Sequence, residues 1–304
     1  MKNPIEVIKS KVSRRTFLAG VSSGLGATAA LTLAAGCGGS NSSNSNPTTP
    51  TPPTTTTITD TDIFNFALNL EYLEAEFYLR AVTGSGLASA DIGASPGAVT
   101  GGAAVPFKTP AIQAYAQEIA TDEMAHVQFI RKALASAAVD RPAIDLQNSF
   151  NAAASAAGIG STFDPFADED SFLVGAFVFE DVGVTAYHGA ASLISVTANL
   201  GYAAGIYATE AYHAATIRTL IAQLGGNYQT YANQISTLRA SAGGGAETML
   251  APNTIVAADS SSIAYDRTTD QILHIVYLSP AAGVVSKGGF FPNGLNGKIT
   301  ASAF

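Results

Sequence analysis

Tryptophan is missing from this 304-residue chain, while cysteine occurs once, methionine three times and histidine four times. Charge is scarce too: Asp, Glu, Lys and Arg together make up 12% of the residues, against 47% hydrophobic. A single cysteine excludes an internal disulfide. Fifteen basic residues against 23 acidic ones leave a net charge of −8, so nucleic-acid phosphates would be repelled. No alternation of strand and helix patterns announces a parallel sheet. What remains is an alanine-rich, helix-forming chain with enough apolar residues for one large domain or two small ones.

The amino terminus reads as an address and stands apart from the fold. In "SRRTFLAG", Ser13 to Gly20, Arg14 and Arg15 precede a weakly hydrophobic run that ends at "LAAGC"; the pattern resembles a twin-arginine export signal. A membrane span is the poorer reading, because Gly20, Ser22, Ser23, Gly24 and Gly26 interrupt Phe17 to Ala35. Cys37 resembles the acceptor of a lipobox, with Ala34 where leucine is usual. Residues 1–36 are thus expected to be a signal peptide, whose removal takes away five basic groups and Glu6 and shifts the net charge from −8 to −12. Residues 37–59, rich in Ser, Asn, Thr and Pro, are expected to be a disordered tether, whose stretch "GGSNSSNSNPTTPTPPTTTT" alone reaches about 60 Å at ~3 Å per residue. The expected location is periplasmic or otherwise extracytoplasmic, with lipid on Cys37 holding the protein to a membrane.

Two stretches of the remaining chain repeat one another. "IATDEMAHVQFIRKAL" and "YATEAYHAATIRTLI" superpose Glu123 on Glu210, His126 on His213, Ile130 on Ile217 and Arg131 on Arg218. Random placement of ten Glu and four His predicts about 0.13 Glu-x-x-His pairs, so two with matched flanks are a repeat. Three-residue spacing places each pair on one helix face. A second repeat precedes each: Glu71 stands seven residues before Tyr78, as Glu180 stands before Tyr187. The expected order is a helix opened by Asp60 to Asp62, a loop over 83–108, a helix from Pro110, a crossover over 139–167 with one short helix, a helix favoured by Asp168 to Asp170, and a helix through Glu210. Glu180 lies in "FLVGAFVFEDVGV", which offers no Lys or Arg. As an isolated buried anion it would cost several kcal/mol, and a metal is the economical counter-ion.

One Glu from each of two helices and Glu-x-x-His from each of two others resembles the ligand set of the ferritin-like di-iron and di-manganese carboxylate proteins. The resemblance covers about residues 60–224 and includes the long connection between helices two and three. It implies an all-α, ferritin-like four-helix bundle. Carried over by position, it makes Glu71, Glu123 and His126 ligands of one metal and Glu180, Glu210 and His213 ligands of the other. Glu123 and Glu210 would bridge, Tyr78 and Tyr187 would support the ligands, and iron ranks ahead of manganese. "LNLEYLEAEFYL" and "GGFFPNGLNG" look like the desiccation-related branch. Residues 225–304 are expected to be an extension packed on the bundle, with Asn-Gly turns at 293–294 and 296–297 and a fifth helix in "SSIAYDRTTDQILHIVYL".

Other polar residues have plainer readings. Glu74 shares the face of Glu71, but its repeat partner is Gly183, which suits a supporting or surface role. Glu76 and Glu118 fall off the stripe and are expected in solvent. Asp122 and Asp181 are expected at the surface or as hydrogen-bond partners, and His188 and His274 as satisfied core or edge imidazoles. For function, the resemblance implies a stress-related redox protein acting on dioxygen or peroxide. Metal binding or iron sequestration without turnover, and a structural protective role, stay open beside it.

Overall fold

Thr59 opens the first helix, α1 (Asp60–Thr83), through a reciprocal cap: its hydroxyl accepts from the Asp62 amide at 3.3 Å, and the Asp62 carboxylate accepts from the Thr59 amide at 2.9 Å. Asp60, expected as a cap of its own helix, serves another. It accepts from Ser195 N at 2.9 Å, Val196 N at 3.1 Å and Asn199 Nδ2 at 2.9 Å, at the start of the last bundle helix. The computed structural model describes residues 57–279 and 283–302; Arg14, Arg15 and Cys37 lie outside them.

Three more long helices follow in the order the repeats require: α2 (Pro110–Leu134), then α4 (Glu169–Ala191) and α5 (Thr197–Leu224), with the short α3 (Asn148–Ala157) in the crossover. Pro110 occupies the first turn of α2, and the Asp168 side chain caps α4 by accepting from Ser171 N at 2.7 Å. Packing is densest between α1 and α2 and between α4 and α5, and the two pairs join through α1 and α4. A two-residue parallel pairing, β1 (Val99–Thr100) on β2 (Ile144–Asp145), ties the first long loop to the crossover.

The four helices are buried to different extents. On α2 and α5 the buried positions recur at three and four residues, as on helices with one solvent face. On α4 every residue from Phe172 to Tyr187 is buried, as a helix apolar all round must be. Its outer side is covered by the extension, which contains α6 (Gly226–Gly243) and α7 (Thr269–Val276). Helix α7 falls where a fifth helix was expected. Helix α6 was not anticipated, although Ala232, Ile235, Ser236, Arg239 and Ala242 mark a helical stripe. At Gly189 a Cβ would stand 1.9 Å from the Arg267 carbonyl oxygen, so only glycine lets the extension lie this close to α4. Both Asn-Gly pairs sit in non-helical, non-strand backbone, with Gly294 and Gly297 at φ 87° and 108°. Asn296 exchanges hydrogen bonds of 2.9 Å with Asn69, pinning this segment to α1. Among the described residues, no helix is long and apolar enough to cross a membrane.

Candidate metal centre

Glu71 and Glu180 come from the two helices buried on nearly all sides, and Glu123, His126, Glu210 and His213 from the inward stripes of α2 and α5. All six are buried. They form two overlapping quartets, Glu71, Glu123, His126 and Glu210, and Glu123, Glu180, Glu210 and His213. Within each quartet one donor atom per residue lies within 4.8 Å of the others. Glu123 and Glu210 belong to both.

Contacts inside the cluster converge on the imidazoles. His126 Nδ1 lies 3.2 Å from Glu71 Oε2 and 3.4 Å from both Glu123 Oε2 and Glu210 Oε1. His213 Nδ1 lies 2.9 Å from Glu123 Oε1 and 3.6 Å from Glu180 Oε2, neither with the geometry of a hydrogen bond. Its other nitrogen contacts Asp122 Oδ2 at 3.1 Å, which orients the ring and turns Nδ1 inward. Asp122, with 40% of its side chain exposed, is thus a hydrogen-bond partner at the rim.

The tyrosines act crosswise. Tyr78 of α1 donates to Glu180 of α4, and Tyr187 of α4 donates to Glu71 of α1. Burial, then the neighbouring carboxylates, hold both phenols protonated and hence as donors. Each bond joins the two helix pairs and uses one oxygen of its carboxylate. The sequence repeat implied two equivalent tyrosines; that they exchange partners is visible only in three dimensions.

Burial raises the proton affinities of Glu71 and Glu210, the latter well above the carboxylate range. Glu180 is pushed up to about 8, again mainly by burial. For Glu123 burial also pushes upward, but His126 and His213 outweigh it and bring the group to about 2. Burial lowers both imidazoles and the carboxylates reverse this, taking His213 to about 10 and His126 further still. The cluster alone therefore retains protons that an unfolded chain would release.

Both oxygens of Glu123 and Glu210, Glu180 Oε2 and His213 Nδ1 are buried without a hydrogen-bond partner. Orphaned acceptors of this number are expensive, and they all belong to the two quartets. Four ionised carboxylates would balance two divalent cations, and a carboxylate shared between quartets can span two ions. The donor set fits a pair of metal ions.

Residues 59–223 match the sequence model of the ferritin-like domain. The chain belongs to the ferritin-like family. Across 267 residues it is 30% identical to the desiccation-related protein PCC13-62 of Craterostigma plantagineum, a match spanning 78% of this chain and 82% of that protein. It is 28% identical to the ferritin-like catalase Nec2 of Nesocodon mauritianus, over 78% of this chain and 84% of that protein. The matched family segment contains all six residues of the quartets.

Some placements differ from expectation. Glu76, expected in solvent, is buried and held by Arg80 at 2.9 Å and by Arg141 from the crossover, because the loops cover the outer face of α1. Asp181, expected at the surface or as a hydrogen-bond partner, is the second: it is buried one residue from Glu180 and accepts from Arg218 and Arg239, both at 2.7 Å. Arg239, Glu247 and Arg267 complete this ion cluster; sequence reading passed over them, although charges in so apolar a chain were a usable signal. Glu118 is exposed as expected, and His188 sits at an edge with Nδ1 3.2 Å from the Tyr265 carbonyl. His274 is buried, but its Nδ1 has no hydrogen-bond partner. Glu74 is buried on the face of Glu71 but outside both quartets.

Proposed function

We propose that this ferritin-like protein holds two metal ions, iron ahead of manganese, and acts as an exported redox protein on dioxygen or peroxide. The observation that supports it most is the pair of overlapping donor quartets whose shared carboxylates carry orphaned buried oxygens. Glu71, Glu123, His126 and Glu210 would hold one ion, and Glu123, Glu180, Glu210 and His213 the other. Bound there, redox-active ions supply electrons to, or take them from, an oxygen species.

The chain's own contribution is to arrange and protect. Tyr78 and Tyr187 fix one oxygen of Glu180 and Glu71 and leave the second free to face inward. Asp122 orients His213. The apolar walls of α1 and α4 exclude water, so charge on the carboxylates is offset by bound cations or by protons and not by solvent. A relative named a catalase supports peroxide as a substrate class, and one named desiccation-related supports a role in stress.

Protein purified from its native compartment should contain two metals per chain. Ferrous-loaded protein should consume dioxygen, or the metallated protein should decompose peroxide. Metals present without either reaction would favour sequestration or a structural clamp, and absence of metal would remove the reading. The export part has its own test: replacing Arg14 and Arg15 by Lys should strand precursor inside the cell, and Cys37→Ala should abolish incorporation of labelled lipid. Undiminished export of the first variant would dismiss the twin-arginine route.

A further inference from the structure

Five glycines interrupt the four bundle helices, and they are of two kinds. On α4 a Cβ added at Gly175, Gly183 or Gly189 would stand 2.6, 2.4 or 1.9 Å from a neighbouring atom, so packing within the chain demands each of them. On α5 a Cβ at Gly201 or Gly205 would meet nothing within 4 Å. Glycine inside a helix is less stable than alanine, and nothing within the chain accounts for these two. Steps of four, three and four residues place Gly201, Gly205, Ala208 and Tyr212 on one stripe, and all four are exposed, Tyr212 by 73%. Leu200 and Tyr202 stand exposed beside it, and the Tyr202 ring meets Phe129 of α2 edge-on, centroids 5.1 Å apart. Glu210, His213 and Arg218, the residues of α5 that could carry charge beside its tyrosines, are all buried, so its outer face is uncharged on a chain of net charge −8.

The stripe holds a hollow, the bare backbone at Gly201 and Gly205, and a knob, Tyr212, about two to three turns further along. When two such faces meet antiparallel about a two-fold axis, each Tyr212 enters the hollow of the other copy, and Ala208, midway, meets its own counterpart. We propose that the outer face of α5 docks on the same face of a second copy of this chain. The area suffices. A 28-residue helix is about 42 Å long and about 10 Å across, which gives about 400 Å² per copy, and the exposed Leu193, Val196 and Phe129 beside it bring two copies to the roughly 1,200 Å² at which specific interfaces begin. The lack of charge selects the partner: a charged protein or an anionic membrane finds nothing to pair with, whereas two copies of an acidic chain meet there without repulsion.

Sedimentation of the purified Cys37→Ala chain, which carries no lipid, tests this from about 1 to about 100 µM. It should run at twice the chain mass. Gly205→Leu, which fills the hollow, Ala208→Glu, which sets two like charges against each other, and Tyr212→Ala, which removes the knob, should each weaken the dimer by about tenfold or more. All three positions face solvent in the single chain, so its circular dichroism spectrum should not change. In the same Cys37→Ala background, Ala208→Cys should oxidise to a disulfide-linked dimer, whereas Gln223→Cys, far from its own counterpart in this register, should not. A chain that stays monomeric at about 100 µM, or dimers untouched by Gly205→Leu and Ala208→Glu, would overturn the proposal. So would equal cross-linking of the two cysteine variants, or a monomer that floats with phosphatidylcholine vesicles and so has lipid on that face.

Discussion

Glu180 and Asp181 are neighbours in one helix, both buried, yet they stand in opposite electrostatic settings. Glu180 shares its quartet with two other carboxylates and one imidazole and keeps an orphaned oxygen. Asp181 faces outward, where Arg218 of α5 and Arg239 and Arg267 of the extension share two carboxylates, Asp181 and Glu247. Arg239 also donates to the Phe177 carbonyl at 2.8 Å and lies 4.6 Å over the Phe177 ring. Both clusters are acidic on α4, but only the outer one is supplied with guanidinium groups; the inner one has imidazoles alone. The outer cluster therefore fastens the extension to the bundle through guanidinium groups, with Asp181 Oδ1 alone left without a partner, while the inner one leaves several carboxylate oxygens to protons or bound cations. A buried carboxylate is informative only together with what the chain does or does not offer it.

The widest gap between the two should appear on losing a cation from the outer one. Arg239→Ala removes a guanidinium that serves Asp181 and Glu247 at once, and should destabilise by about 3–5 kcal/mol in denaturant titrations with or without chelator. Sensitivity that vanished on metal removal would mean that the two clusters are not independent. Metal should act on the inner cluster alone: at a hundredfold excess over the dissociation constant it should stabilise wild type by about 3 kcal/mol, and coincident melts with and without chelator would end the case for a metal centre.

Glu210→Gln sharpens the contrast further, since removing a carboxylate that the chain does not compensate should stabilise the metal-free protein by about 1 kcal/mol while costing occupancy of both ions. His213→Ala should chiefly cost one ion, because His213 belongs to one quartet. Two full equivalents of metal in both variants would refute the shared-ligand arrangement.

The smallest expected effect is in the pH profile. Glu180 is raised to about 8 and His213 to about 10, so the folded, metal-free cluster binds more protons than the unfolded chain across that range. Raised carboxylates lose stability as pH climbs from their unfolded values to their folded ones, and raised imidazoles lose it as pH climbs through theirs. Glu247 has the opposite sign: burial raises it, but Arg239 and then Arg267 hold it below the usual range, so its contribution disappears as pH falls. The metal-free protein should therefore be most stable near pH 5 and lose several degrees of melting temperature by pH 9. With metal bound the slope should flatten or reverse, because ligands must lose their protons to bind. A chelated sample that melts highest at pH 9 would contradict the reversal of charge between the two clusters.

The helices and the six central residues were legible because each left a periodic mark in an otherwise apolar sequence. Glu-x-x-His at matched positions fixes two residues on one helix face, and a Glu in "FLVGAFVFEDVGV" asks for a counter-charge whatever the tertiary structure. Asp181 was ambiguous for the same reason that Glu180 was not: its partners, Arg218 and Arg239, lie 37 and 58 residues away, and no local pattern points to them. Glu76 looked solvated because periodicity assigns it to the outer face of α1, and periodicity says nothing of the crossover that brings Arg141 there.

By itself, then, the sequence determined which side chains share a face, that the bundle halves repeat, and that Glu180 cannot stand alone, since helical geometry and the cost of a buried charge act over a few residues. Only the tertiary structure decided that Tyr78 serves Glu180 and Tyr187 serves Glu71, that Glu123 and Glu210 lie in both quartets, and that Arg218 of α5 and Arg239 of the extension pair with Asp181 while Glu180 is left to the interior. These are relations between helices. They depend on which faces meet when the apolar stripes are buried, and that is settled by packing the whole chain at once.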